Sequence, residues 1–262
     1  MKVVILCGGM GTRIREFTES IPKPMVPIGG YPILWHIMKI YSHFGHREFI
    51  LCLGYKSDVI KDYFLNYFSR VSDITVDLSA PDQIRYHNHH NSENWEITLA
   101  ETGLQTMTGA RVAKIDHYLN DDDEFMLTYG DGVADIDIPA LIAHHRSYGR
   151  LATVTGVHPI GRFGEMECDD DHRVVSFSEK PQVSVGRING GFFVLQREFI
   201  TRYLSTQEDL SLEHGPLTQC AHDGELISYH HDRYWQPMDT YREYVLLNRL
   251  WDEGAPPWGI WL

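Results

Sequence analysis

The chain has few cysteines and no pattern among them. Its 262 residues include four, Cys7, Cys52, Cys168 and Cys220, with no C-x-x-C pair. That spacing argues against a structural zinc site. The four read as reduced packing thiols, and Cys7 and Cys52 end apolar runs where buried thiols are common. Long apolar runs are also missing: nothing approaches the ~20 residues of a membrane span. One lysine and a short apolar stretch precede the first glycines, too little for a signal-peptide core. A cytoplasmic location is expected. Basic excess is absent as well. The formal net charge is −13, which argues against nonspecific binding of nucleic acid or of an anionic membrane surface. It leaves room for an anionic small molecule held in a local positive pocket. There is no Gly/Ser-rich linker, internal repeat or low-complexity run. A hydrophobic content of 43% is that of an ordered globular protein.

What is present is concentrated at the start. Val3-Val4-Ile5-Leu6-Cys7 is a short apolar strand that runs into Gly8-Gly9-Met10-Gly11-Thr12-Arg13. Glycines lacking a Cβ let a loop lay its N–H groups against phosphate oxygens, and Arg13 adds a planar fork of donors. Lys23 follows in Ile21-Pro22-Lys23-Pro24-Met25, where two prolines restrain the backbone, and reads as a second positive clamp. The run is not a P-loop, because no Gly-Lys-[Ser/Thr] closes it. It is a poor dinucleotide fingerprint too, because the polar, proline-bearing stretch from Arg15 to Pro27 does not open an amphipathic helix. The bland alternative is a tight turn between two elements; the combination of Thr12, Arg13 and Pro-Lys-Pro favours phosphate binding.

The first half alternates strands and helices. Lys2–Cys7, Phe49–Leu53 and Phe125–Tyr129 read as strands. Helices are expected after Pro32, with Ile33, Ile37, Ile40 and Tyr41 on one face, and over Lys56–Phe68. This rhythm implies a parallel sheet with right-handed crossovers. Ala80 to Trp95 breaks it. That segment is polar and carries His87, Asn88, His89 and His90, which reads as a solvated insertion or an oligomer contact in preference to a metal site. His144-His145 and His230-His231 are read the same way. After about Leu151 the pattern turns to short strands, Ala152–His158, Glu165–Cys168, Val174–Glu179 and Gly190–Leu195, followed by helices over Gly215–His222 and Tyr241–Trp251. The expected fold is α/β: a Rossmann-like mixed, mostly parallel sheet flanked by helices, with a smaller β-rich portion. One unit over 1–262 is expected, with functional halves at roughly 1–150 and 151–262.

In an open parallel sheet, ligands bind at the carboxyl ends of the strands. Gly130-Asp131-Gly132 sits at such an end, beside the phosphate loop. Asp131 is therefore a candidate ligand for Mg²⁺, which takes one or two protein carboxylates plus substrate phosphates. Asp239, just before the last helix, reads from spacing alone as an N-cap, with Thr240 opening the helix.

These segments together resemble the sugar-phosphate nucleotidylyltransferase family. Gly8 to Arg13 with Lys23-Pro24 match its shared signature. Pro32–Met38, Tyr129–Asp135, Gly161-Arg162-Phe163-Gly164, Ile188–Phe193 and Trp235–Thr240 resemble its cytidylyltransferase branch. Cys7 and Ile14 stand where alanine and leucine are usual, which removes no charge. The resemblance implies Asp131 and Asp239 as the two Mg²⁺ ligands, reversing the N-cap reading. It implies a nucleotide site of Leu6, Gly8, Gly9, Gly11, Thr12, Arg13, Lys23, Thr106, Arg111 and Gly130, with Met107 beside them and with Arg13 and Lys23 catalytic. Arg111 reads equally as a solvated helix residue. Glu179, Lys180, Asn189 and Gly190 would hold the sugar phosphate; Glu179-Lys180 alone would pass as a surface ion pair before a turn. The implied substrates are CTP and glucose 1-phosphate, in a homo-oligomer. A glycosyltransferase is a competing class, but Asp131 and Asp135 have the wrong spacing for its Asp-x-Asp metal motif. A catalytically silent relative is another, and it should have lost a clamp or a metal carboxylate; here all are present.

Overall fold

A computed structural model describes residues 1–11, 19–79, 83–87, 93–159, 165–171, 173–178 and 186–262. Its strands, in chain order, are β1 (Val3–Leu6), β2 (Pro27–Ile28), β3 (Tyr31–Pro32), β4 (Glu48–Leu53), β5 (Asp73–Val76), β6 (Ile84–His87), β7 (Glu96–Glu101), β8 (Glu124–Tyr129), β9 (Gly132–Ala134), β10 (Ala152–Val157), β11 (Glu165–Cys168), β12 (Val174–Ser178), β13 (Ile188–Asn189), β14 (Phe193–Gln196), β15 (Leu226–His231) and β16 (Trp235–Pro237). The α-helices are α1 (Ile33–His43), α2 (Ser57–Leu65), α3 (Tyr67–Val71), α4 (Thr108–Lys114), α5 (Ile138–Tyr148), α6 (Glu198–Tyr203), α7 (Pro216–His222) and α8 (Tyr241–Asp252).

Eight strands form one sheet in the order β13-β10-β14-β8-β1-β4-β7, with β15 added against β10. β1 lies at its centre, parallel to β4 on one side and β8 on the other. β4 continues parallel to β7, and β10 is parallel to β15. The pairings of β14 with β8 and of β10 with β14 and β13 are antiparallel. The sheet is thus mixed and mostly parallel, as expected, and strands from both halves of the chain join it.

The unbroken apolar run of β1 follows from its place. Val3 and Ile5 face a core shared with α1, while Val4 and Leu6 face a second core that includes Val112 of α4 and Phe199 of α6. A strand covered on both faces has no polar alternation to display. His36 of α1 is fully buried among Trp251, Trp258 and Trp261. It bonds the Ile28 carbonyl through Nε2 at 2.9 Å and receives the Trp258 indole N–H on Nδ1 at 3.3 Å. That arrangement requires the neutral ring with its proton on Nε2.

The single helix expected over Lys56–Phe68 is two, α2 and α3, broken at Asn66. The Asn66 amide donates to the Asp62 carbonyl at 3.0 Å and to the Asp62 carboxylate at 2.7 Å, the local competition with helix bonding that short amide side chains offer. Strands β7 and β15 and helices α4, α5 and α6 lay outside the sequence pattern. Part of the polar insertion forms a hairpin, β5 with β6. His87 lies in it and bonds Thr75 at 2.9 Å; Asn88, His89 and His90 fall outside the described residues. Among the described residues, no helix is long and apolar enough to cross a membrane.

Candidate active site

The carboxyl ends of β1 and β8 lie side by side, so the glycine loop and Asp131 share one edge of the sheet. The loop's first turn is tied down from several directions. The Leu6 carbonyl accepts from Gly130 N–H at 3.1 Å, the Cys7 N–H donates to Cys52, and the Gly8 carbonyl accepts from Tyr55 N–H at 3.2 Å. Gly130 must be glycine: a Cβ there would come within 2.9 Å of the Leu6 carbonyl and 3.0 Å of Pro24. Its absence lets β8 close against the segment that carries Lys23.

Asp131 and Asp239 meet because two short strands pair. β9 follows Asp131, β16 precedes Asp239, and the two run antiparallel with Gly132 opposite Pro237. The Met238 N–H also donates to the Asp131 carbonyl at 2.8 Å. Asp239 is not the N-cap that spacing suggested. Thr240 caps α8 in a capping box with Glu243, whose carboxylate accepts from both Asp239 N–H (2.6 Å) and Thr240 N–H (2.8 Å). This leaves the Asp239 carboxylate directed at Lys23.

Lys23 opens a one-turn 3₁₀ helix, Lys23–Met25, and is buried. Its Nζ lies 2.6 Å from Asp131 Oδ2 and 2.6 Å from Asp239 Oδ1. Burial pulls the Lys23 pKa down, but the two carboxylates outweigh it and hold it above its ordinary value. Two carboxylate oxygens therefore converge on one cation. Among the described residues no group of three or more His, Cys, Asp or Glu is placed for a metal. A pair of hard carboxylates is nonetheless the donor set that suits Mg²⁺, whose remaining positions go to water and substrate phosphate.

A cavity of about 430 Å³ opens over this edge. Leu6, Gly8, Gly9, Gly11, Lys23, Thr106, Arg111, Gly130, Asp131 and Asp239 all line it. Arg111 is not a solvated helix residue. It is buried, and its guanidinium donates to the Leu53 carbonyl (2.8 Å), Thr102 Oγ1 (2.7 Å) and the Gly8 carbonyl (3.1 Å). Burial lowers its pKa. These bonds brace the ends of β1 and β4 together. Asn189 and Gly190 line a smaller adjoining pocket that shares Tyr129 and Asp131 with the first. Thr12, Arg13, Glu179, Lys180 and the Gly161–Gly164 run lie outside the described residues.

One group escaped the sequence reading. Glu213 lines the larger cavity and accepts from Tyr129 Oη (2.6 Å), Thr108 Oγ1 (2.7 Å) and Ser211 Oγ (2.8 Å). Burial pushes its carboxyl up, but these donors prevail and hold it below the ordinary range. Tyr129 Oη in turn accepts from Asn189 Nδ2 at 3.0 Å. A chain of bonds thus crosses from Thr108, at the start of α4, to β13. No spacing in the sequence marks Glu213, since two of its three partners, Tyr129 and Thr108, come from distant segments.

The sequence profile of the nucleotidyl transferase family matches residues 2–245. The chain belongs to that family. It is 48% identical over 261 residues to the glucose-1-phosphate cytidylyltransferase of Salmonella typhi, and equally to that of Salmonella typhimurium, covering 100% of this chain and of each relative. These are the branch that Gly161–Gly164, Ile188–Phe193 and Trp235–Thr240 pointed to. Among solved structures, HddC from Yersinia pseudotuberculosis superposes with a TM-score of 0.65 at 23% identity, over 95% of this chain and 99% of that one. The likeness shows that the two chains share a fold.

Proposed function

We propose that this nucleotidyl transferase moves the cytidylyl group of CTP onto α-D-glucose 1-phosphate, giving CDP-glucose and pyrophosphate. The observation that carries this reading is the 48% identity, over the whole chain, to two glucose-1-phosphate cytidylyltransferases. The cavity over the carboxyl edge of the sheet, lined by a glycine loop, a lysine and two carboxylates, supports it.

The chemistry needs no protein nucleophile. The second pKa of a phosphate monoester is ~6, so the sugar phosphate is already ionised at neutral pH. One of its oxygens attacks the α-phosphorus of CTP in line. As that O–P bond forms, the bond from the α-phosphorus to the bridging oxygen breaks, and pyrophosphate leaves with the electron pair. No proton moves. The difficulty is holding two anions together, so catalysis is positioning and electrostatics.

Each group then has a task. Gly8, Gly9, Gly11 and Thr12 present backbone donors to the triphosphate, and Arg13 and Lys23 neutralise it. Leu6, Thr106, Arg111 and Gly130 form the nucleoside side, with Arg111 bracing the loop through the Gly8 carbonyl. Glu179, Lys180, Asn189 and Gly190 receive the sugar phosphate. Asp131 and Asp239 would hold Mg²⁺, which when bound screens the repulsion between the two phosphates and the charge growing on pyrophosphate. Residues 1–150 would supply the nucleotide half and 151–262 the sugar half of one unit, working as a cytoplasmic homo-oligomer.

The test is a matrix of four nucleoside triphosphates against several sugar 1-phosphates, reading pyrophosphate release. CTP with glucose 1-phosphate should be the best pair. A uridine or thymidine nucleotide winning by tenfold would overturn the choice of base while leaving the family membership intact. No pyrophosphate from any pair would overturn the activity.

A further inference from the structure

We propose that the Lys23 ammonium is an internal stand-in for the divalent cation: it occupies the Asp131–Asp239 position in the substrate-free protein and must leave before a metal can enter. The inference rests on the reading above, in which those two carboxylates hold Mg²⁺.

Both close contacts of Lys23, at 2.6 Å, are made to the oxygens a metal would use. The side chains of Lys23, Asp239 and Asp131 are 11%, 19% and 33% exposed, so water screens the charges only in part. Two ionised carboxylates converging there repel unless a cation lies between them, and the ammonium supplies that charge. A second cation on the same two oxygens would face the ammonium at close range. Metal and Lys23 therefore exclude each other from this position.

Lysine suits such an exchange. Its charge is a compact point on a flexible four-carbon stem, while its backbone is fixed in the 3₁₀ turn between Pro22 and Pro24. The head can move while the root stays. Its destination adjoins it: Lys23 lines the cavity together with Gly8, Gly9 and Gly11. A triphosphate on that loop offers anionic oxygens that compete for the ammonium, and once Lys23 turns to them the carboxylate pair is released. Divalent metal alone should then bind weakly, and metal and nucleotide should strengthen each other reciprocally.

The experiment measures Mn²⁺ binding to the full chain by electron paramagnetic resonance, without nucleotide, in wild type and in Lys23→Met. The variant should bind Mn²⁺ at least tenfold more tightly, and Asp131→Asn added to it should abolish the gain. Its melting temperature should lie below wild type in metal-free buffer and recover with Mn²⁺, whereas wild type should barely respond. Lys23→Gln provides the same comparison should the methionine variant not fold. Equal Mn²⁺ affinity in wild type and variant, with wild type still taking up protein-bound Mn²⁺ in the presence of a non-hydrolysable CTP analogue, would overturn the exchange and leave the metal reading standing. Failure of wild type to hold Mn²⁺ even with the analogue would overturn both.

Discussion

Gly8 and Arg111 are fitted to each other so closely that a Cβ on Gly8 would lie 2.1 Å from a guanidinium nitrogen. The same guanidinium donates to the Gly8 carbonyl from 103 residues away. Gly8→Ala must therefore displace Arg111 from the Leu53 carbonyl, Thr102 and Gly8 together. Each hydrogen bond of the charged guanidinium lost in this way is worth about 1.5–3 kcal/mol. The expected outcome is a lower melting temperature with at least a tenfold fall in kcat/KM, read by calorimetry and pyrophosphate release. Wild-type values in both would mean the loop does not depend on this brace.

Tyr129→Phe keeps the ring and deletes the hydroxyl that joins Glu213 to Asn189. Asn189 then loses one restraint but keeps its bond to Gly191 N–H at 2.9 Å. A loss of 1–2 kcal/mol corresponds to a factor of about 5–30. That factor should appear in KM for glucose 1-phosphate, with kcat and KM for CTP little changed. An effect confined to CTP would place Tyr129 on the other side of the site.

Asp131→Asn preserves shape and removes one of the two charges on Lys23. Turnover should fall by ~10²-fold or more, since metal stabilisation of a transferring phosphate is worth several kcal/mol, while the circular dichroism spectrum is unchanged. EDTA should abolish wild-type activity and Mg²⁺ should restore it. Full turnover in EDTA would remove the metal from the mechanism.

His36 makes stability depend on pH. Burial lowers its pKa to about 4, with the bond to the Ile28 carbonyl opposing the shift. The unfolded chain takes up the proton near its ordinary value of ~6.5, whereas the folded chain resists it until about 4. The unfolded state binds more protons throughout that window, so stability declines as pH falls through it. The His36 contribution to this decline approaches ~3 kcal/mol at the acid end. Urea unfolding of wild type and His36→Gln at pH 7 and pH 4.5 should show a smaller acid-linked loss in the variant. Equal losses would mean that other groups govern the acid limb.

Much of this protein was legible along the chain because its decisive features are local. A strand buried on both faces has to read as Val3 to Leu6 does, and a glycine loop at its end with Lys23 between prolines is visible in sequence order. Asp131 was legible for the same reason, lying two residues beyond a strand. The helix break at Asn66 was not, because a single amide bonding back to Asp62 overrides an otherwise continuous apolar face. Asp239 is the clearest case of tertiary decision. Spacing alone made it a cap, and only the pairing of β9 with β16 brings it to Lys23. Arg111 and Glu213 likewise acquire their roles from carbonyls and hydroxyls of remote segments. The sequence determined which charges and turns exist; the fold decided which of them meet, because a charge's role is set by its neighbours at about 3 Å and those come from any part of the chain.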